Sequence, residues 1–318
     1  MTTGAQAVVD AGGAELTRIM DRVELRMGEL AAGHGPVLAR HAGDTISAGG
    51  KRLRPLLVCL AAGAPPPETD GLVRAAVAVE LVHGATLVHD DVLDGSALRR
   101  GRATVVATGG RGAATATGDL LFSRAFAELA GGGSSESVRV LAGATRELAL
   151  GELTQREDAY RLDVTVDRYL ARCRLKTAVL FRAACELGAL EADGEPGPLG
   201  AFGERIGLAF QILDDVLDVA GPPERTGKPR GADLLDGTVT LPLILARERD
   251  PGIDLRGVRT TDEAAAVCDR IAATGALEDA RARGQEFVAE AKLGLPALPL
   301  RQREALELAA DVMVERYA

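Results

Sequence analysis

The sequence predicts an all-α protein, and three observations carry the prediction. Alanine, leucine, glutamate and arginine are abundant, aromatic residues make up only 3% and tryptophan is absent. That balance favours helices packed on small side chains over sheets. No alternating apolar–polar pattern runs beyond a few residues. Breaks fall at glycine and proline clusters, and none is long or polar enough to separate domains. With 318 residues and 47% hydrophobic content, the chain can bury a large core. A single domain over 1–318 is expected, with 1–13 flexible.

The elements follow in order. Residues 14–48 read as a helical entry segment interrupted near Gly33 to Pro36, and a loop follows at Gly49 and Gly50. KRLRPLLVCLAAGA reads as a buried helix, ended by Pro65 to Pro67. A long apolar helix is expected from Asp70 to Asp94, then a glycine- and arginine-rich loop up to about Gly112. Further helices are expected over 113–130, 135–157 and 166–187. GEPGPLG (194–200) reads as a turn, and a helix over 201–219 is stopped by Pro222 and Pro223. After a polar loop, LPLILARERD restarts a helix, and three amphipathic stretches complete the chain.

The net charge of −9 argues against a general nucleic-acid surface. Cys59, Cys173, Cys185 and Cys268 show no CxxC pairing and no zinc-like spacing, so they read as buried thiols in a reducing compartment. No apolar run looks long enough to span a bilayer and no signal-peptide pattern is present, so a cytoplasmic location is expected.

The pentapeptide DDVLD occurs twice without change, as Asp90, Asp91 and Asp94 and as Asp214, Asp215 and Asp218. Carboxylates at i and i+4 share one helix face, a turn apart. Several carboxylates inside apolar helical sequence are costly without partners. Two such faces looking across a cavity would hold hard divalent cations through oxygen. Three basic groupings accompany them: Lys51, Arg52 and Arg54 in GGKRLRP; Arg99, Arg100 and Arg102; and Lys176 with Thr177, followed by Lys228 and Arg230. Carboxylate-bound Mg²⁺ ringed by guanidinium and ammonium groups fits a diphosphate ligand. His83 and His89 lie near Asp90, but a histidine metal site suits Mg²⁺ less than all-oxygen ligation does. His83, two turns before Asp90, falls on the same face.

GGKRLRP, ELVHGATLVHDDVLDGSALRRGRATV, LKTAVLF, GLAFQILDDVLDV and GKPRGADLLDGTVTLPLI together resemble the ordered motifs of the trans-polyprenyl diphosphate synthases, across residues 49–244. The resemblance implies a single-domain, isoprenoid synthase-type helical bundle with a central cavity. It implies Mg²⁺-dependent condensation of isopentenyl diphosphate with an allylic diphosphate. By similarity, Asp90, Asp94 and Asp214 ligate Mg²⁺, with Asp91, Asp215 and Asp218 ligating or supporting. Arg99, Lys176 and Lys228 hold the allylic diphosphate. Lys51, Arg54, His83 and Arg100 hold isopentenyl diphosphate, and Thr177 and Gln211 line the reacting centre. A homodimer is also implied, with at most transient membrane contact.

One position departs from the pattern: many family members have lysine where this chain has Thr238. Ala85 and Thr86, just before the unexpanded first motif, are small, where short-chain relatives place a bulky aromatic. That predicts a long product of six or more isoprene units, with geranylgeranyl or farnesyl diphosphate as the alternative and Phe122 and Phe126 as other candidate floor residues. A terpene cyclase is disfavoured by the repeated DDVLD, and a non-catalytic subunit by both clusters being intact.

Overall fold

A computed structural model describes residues 3–33, 41, 52–99, 101–132, 134–221 and 230–315. It is all-α, as the composition predicts. α1 (Thr3–Ala32), α2 (Leu53–Ala62) and α3 (Asp70–Asp94) are followed by two short antiparallel strands, β1 (Leu98–Arg99) and β2 (Arg102–Ala103). Then come α4 (Val105–Gly131), α5 (Ser135–Asp158), α6 (Val166–Cys173), a π-helical turn (Arg174–Ala178) and α7 (Val179–Leu190). α8 (Pro196–Ala220), α9 (Ala232–Leu235), α10 (Leu241–Arg249), α11 (Thr261–Ala273), α12 (Ala276–Leu293) and α13 (Leu300–Glu315) complete the order.

Three boundaries differ from the sequence expectation, each for a local reason. The first residues, expected to be flexible, are helical from Thr3; α1 bends at Gly13 (φ 86°), and Val8 and Val9 are buried. α4 starts at Val105 rather than Ala113, because the Thr104 side chain caps it by accepting from the Ala107 N–H at 3.2 Å. Gly110 (φ 76°) then bends that helix, which is why the glycine-rich stretch reads as loop. α8 starts at Pro196, inside the expected turn, since prolines in a first turn forfeit no helical hydrogen bond.

The chain clusters into two compact units, and each takes three stretches of sequence. One comprises Met1–Thr145, Leu180–Gly203 and Leu295–Val312; the other comprises Arg146–Val179, Glu204–Gly294 and Met313–Ala318. In the first, α3 packs against α1, α2 and α4. Its Leu72, Val77, Val79, Leu81 and Val82 are buried with Leu16, Ile19, Val23, Leu57 and Leu60. The Thr69 side chain caps α3 by accepting from the Leu72 N–H, and Gly95 (φ 63°) ends it in the left-handed region. By length and composition α3 is apolar enough to cross a membrane, contrary to the sequence expectation. Most of its apolar length is buried inside the protein, so its apolarity is that of a core helix.

Charged pairs fasten this packing. Arg52, at φ 48° just before α2, pairs with Glu24 of α1 at 2.5 Å and with Glu80 of α3 at 3.0 Å. Arg26 and Arg74 both reach Glu128 of α4, at 2.8 and 3.4 Å. Arg52 is thus a structural residue, although the sequence groups it with anion-binding neighbours. The amide of Gln302 on α13 donates to the Leu60 and Ala61 carbonyls at 3.0 and 3.1 Å, holding the α2 C-terminus.

In the second unit, Leu213, Leu217 and Phe210 of α8 form one cluster, and Gly284 of α12 lies against Leu213. Thr260 and Glu263 close a reciprocal cap on α11. All four cysteines are buried, and burial pushes the Cys59, Cys173 and Cys268 thiols up to about 12, so they are inert at neutral pH.

In the first unit α7 meets α2 nearly backbone to backbone: a Cβ on Gly188 would sit 2.1 Å from the Val58 carbonyl oxygen. Gly188→Ala should therefore destabilise the protein by about 1–3 kcal/mol through forced separation of the two helices, measured as a lowered denaturation midpoint.

Candidate active site

Both DDVLD copies lie near the C-terminal ends of 25-residue helices, α3 and α8. The carbonyl end of a helix carries partial negative charge, so carboxylates there raise the local potential unless cations answer it. Neither helix has a basic residue in its last turn. The chain therefore builds two sites of concentrated negative potential, and at the first the guanidinium of Arg99 supplies part of the answering charge.

The three aspartates of each copy are not equivalent. Asp91 is buried and accepts a hydrogen bond from Arg99 Nε at 2.8 Å, with Nη2 of the same guanidinium also 2.8 Å from that oxygen. The β1–β2 hairpin turns the chain back just after α3 and so presents Arg99 to it. Asp90 is half-buried and Asp94 exposed, one turn apart on α3. Asp215, in the second copy, is fully buried, and its two oxygens accept from the Tyr169 hydroxyl at 2.6 Å and the Gln211 amide at 2.7 Å. Burial, reinforced by the nearby charge of Asp233, pushes its carboxyl well above the ordinary range. Asp218 accepts from the backbone N–H groups of Ala232 and Asp233 at 3.1 and 3.2 Å, fixing the start of α9. Asp214 is exposed.

A hydrogen-bond relay runs outward from Asp215. Because Gln211 Nε2 donates to Asp215, Gln211 Oε1 faces Thr177, whose hydroxyl donates to it at 2.6 Å. Thr177 has spent its proton, so what its oxygen can offer a reacting centre is lone-pair density. Thr177 and Lys176 lie in the π-helical turn, an arrangement frequent at functional sites. Gly151 of α5 lets the two backbones meet there, since a Cβ at 151 would lie 2.5 Å from the Lys176 nitrogen. The next residue, Glu152, accepts from Lys176 Nζ at 2.5 Å and from Arg156 Nε at 2.8 Å. Partial burial pushes the Glu152 carboxyl up, but the charge of Lys176 and the bonds from Lys176 and Arg156 outweigh it and hold the group below its ordinary value.

Among the remaining predicted residues, Arg54 stacks on Phe181 at 4.5 Å, and the His83 carbonyl accepts from the Thr86 hydroxyl at 2.8 Å. Ala85 is fully buried and Thr86 half-buried. His89 packs on Phe122 and against Gly118, with Nε2 3.4 Å from Asp119. Thr238 is buried and its hydroxyl donates to Asp236 at 3.2 Å. Lys51, Arg100 and Lys228 lie outside the described residues. Sequence reasoning passed over Gly151, Glu152, Arg156 and Tyr169. A glycine inside the long α5 pattern is the one signal that marked a close backbone approach there.

The donor set suits Mg²⁺. All the aspartate donors are oxygen, and no group of three acidic, histidine or cysteine side chains converges into a closed cage among the described residues. Mg²⁺ is held characteristically by one or two carboxylates together with phosphate oxygens.

A polyprenyl synthetase family model matches residues 36–267, and the chain belongs to that family of prenyltransferases, the trans-polyprenyl diphosphate synthases. It is 42% identical to heptaprenyl diphosphate synthase component 2 of Geobacillus stearothermophilus, over 86% of this chain and 87% of that one. It is 36% identical to a geranylgeranyl diphosphate synthase of Methanosarcina mazei, over 85% and 87% of the two chains. The fold matches a polyprenyl synthase from Caulobacter crescentus, complexed with calcium and isoprenyl diphosphate, with a TM-score of 0.90 at 35% identity over 99% and 98% of the chains.

The stability contributed by ionised Glu152 is fully present above its unfolded pKa, near 4.5, and is lost as pH falls through its lower folded value. The stability gap between the wild type and Glu152→Gln should accordingly be widest near neutrality and close below pH 4.5, as followed by urea denaturation across pH.

Proposed function

We propose that the chain performs the Mg²⁺-dependent head-to-tail (1′-4) condensation of isopentenyl diphosphate with an allylic diphosphate, and that its product is long, of six or more isoprene units. The observation that carries this reading is the pair Asp90 and Asp94, set at the carbonyl end of α3 and repeated as DDVLD in α8, in a member of this family. Asp90, Asp94 and Asp214 are the proposed metal ligands. Asp91, Asp215 and Asp218, each already accepting protein hydrogen bonds, support them. Mg²⁺, when bound, supplies positive charge beside the diphosphate as it leaves.

The chain's own residues do the rest. Arg99, Lys176 and Lys228 hold the allylic diphosphate, and Lys51, Arg54, His83 and Arg100 hold isopentenyl diphosphate. The oxygens of Thr177 and Gln211 face the allylic carbon as positive charge develops on it. Apolar surroundings exclude water from the cation until the double bond attacks. The proton lost in the last step passes to the released diphosphate.

Long-chain synthesis draws support from the small residues Ala85 and Thr86 and from the heptaprenyl synthase relative. The Methanosarcina relative favours the second reading, a geranylgeranyl product. A homodimer in the cytoplasm is our reading of its assembly and location, and the Geobacillus name, component 2, makes a partner subunit the alternative.

The test is incubation of the purified chain alone with Mg²⁺, isopentenyl diphosphate and a set of allylic primers, with products resolved by chromatography. Consumption of isopentenyl diphosphate is expected, and none with any primer refutes the assignment to this chain acting alone. Asp90→Ala should lower kcat by about a hundredfold or more, the scale of losing one group that stabilises transition-state charge. Thr86→Phe should shorten the product. It is a cleaner probe than Ala85→Phe, because Ala85 is fully buried and a phenyl ring there also overpacks α3. An unchanged product distribution in both variants would remove these positions from length control.

A further inference from the structure

We propose that Arg156 of α5 is a further substrate-binding residue, a second cation paired with Lys176 for the allylic diphosphate; this rests on the proposed function above. The geometry is a continuous run of charge within one unit. Lys176 Nζ lies 2.5 Å from one oxygen of Glu152, and Arg156 Nε lies 2.8 Å from the other. One carboxylate thus brings an ammonium and a guanidinium side by side, beside the π-helical turn that carries Thr177. Arg156 Nη1 continues to Asp236 at 3.8 Å, and the other Asp236 oxygen accepts from Thr238 at 3.2 Å.

A solvated i,i+4 pair would explain the Glu152–Arg156 contact alone. It does not explain why the same carboxylate, on a Glu152 side chain only 18% exposed, also takes Lys176. Lys176 and Arg156 balance Glu152 and Asp236, so an arriving anion meets two cations already held side by side in a run that carries no excess negative charge. Arg156 also stands between Asp236 and that anion, offsetting a carboxylate that would repel it. It reaches the segment where the family pattern has lysine and this chain has buried Thr238. The positive charge absent from position 238 is on this view delivered from α5. Its planar fork suits two phosphate oxygens at once.

The experiment measures KM for both substrates in wild type, Arg156→Gln and the double variant Arg156→Gln with Thr238→Lys, alongside thermal melts. Arg156→Gln should raise KM for the allylic diphosphate about ten- to a hundredfold, the scale of one charge-assisted bond, and leave KM for isopentenyl diphosphate unchanged. Thr238→Lys should then recover most of the loss. An unchanged allylic KM, an equal rise in both KM values, or no recovery with lysine at 238 overturns the proposal. If Arg156→Gln does not fold, Arg156→Lys carries the test: it keeps the charge and loses the fork, and should raise the allylic KM several-fold, an unchanged value overturning the proposal. Wild-type turnover separates the two failures, since an inactive wild type refutes the function itself, whereas an active one with an indifferent Arg156 refutes only this assignment.

Discussion

The negative potential at the C-terminal end of α3, and separately of α8, is the constraint on which the residues around each depend. A helix already concentrates partial negative charge at its carbonyl end, and each of these ends adds three carboxylates and no last-turn cation. The chain answers part of that charge itself, with Arg99 on Asp91 and two backbone N–H groups on Asp218. Two of the cations proposed for the diphosphate are tied to carboxylates, Arg99 to Asp91 and Lys176 to Glu152. These pairs hold the cations in set positions, so little side-chain entropy is left to lose when an anion arrives.

The repeat divides labour within each pentapeptide. Successive helical residues point about 100° apart, so the second aspartate of a DDVLD cannot share the face of the first and fifth. It turns inward, where an unpartnered carboxylate would be costly. Asp91 is answered by a guanidinium and Asp215 by a phenol and an amide. The two answers have different effects. Arg99 neutralises Asp91, whereas the partners of Asp215 are neutral, and that carboxyl is pushed up by burial. The chemistry of the second copy is therefore transmitted by hydrogen-bond polarity: Asp215 sets the Gln211 amide, and the amide sets the Thr177 hydroxyl.

The class of fold and the long helices were legible because composition and breaks report them directly; α3 runs from Asp70 to Asp94 as expected. What misled were glycines and prolines that serve geometry instead of ending helices. Gly110 bends α4 without stopping it, and Pro196 opens α8 from inside an apparent turn. The aspartates, Lys176, Thr177 and Gln211 were legible as motifs. Their partners were not, because Tyr169 and Glu152 lie 46 and 24 residues from the groups they hold, and no local pattern encodes such a meeting. The π-helical turn was also invisible: LKTAV reads as ordinary helix, and only the extra residue per turn reveals the device.

The scarcity of aromatics shapes the local packing as well as the fold class. Helices packed on small residues approach until backbones nearly touch, as α7 does to α2 at Gly188 and α5 does to the π-helical turn at Gly151. A contact set by backbone atoms is stiffer than one set by long side chains, because no rotamer change can relieve it. At Gly151 that stiffness governs the placing of the adjacent Glu152, and through it of Lys176 and Arg156. A bulkier residue at 151 would displace the carboxylate from both cations at once without altering any charge, so the electrostatics around Lys176 are held by a steric contact one residue away.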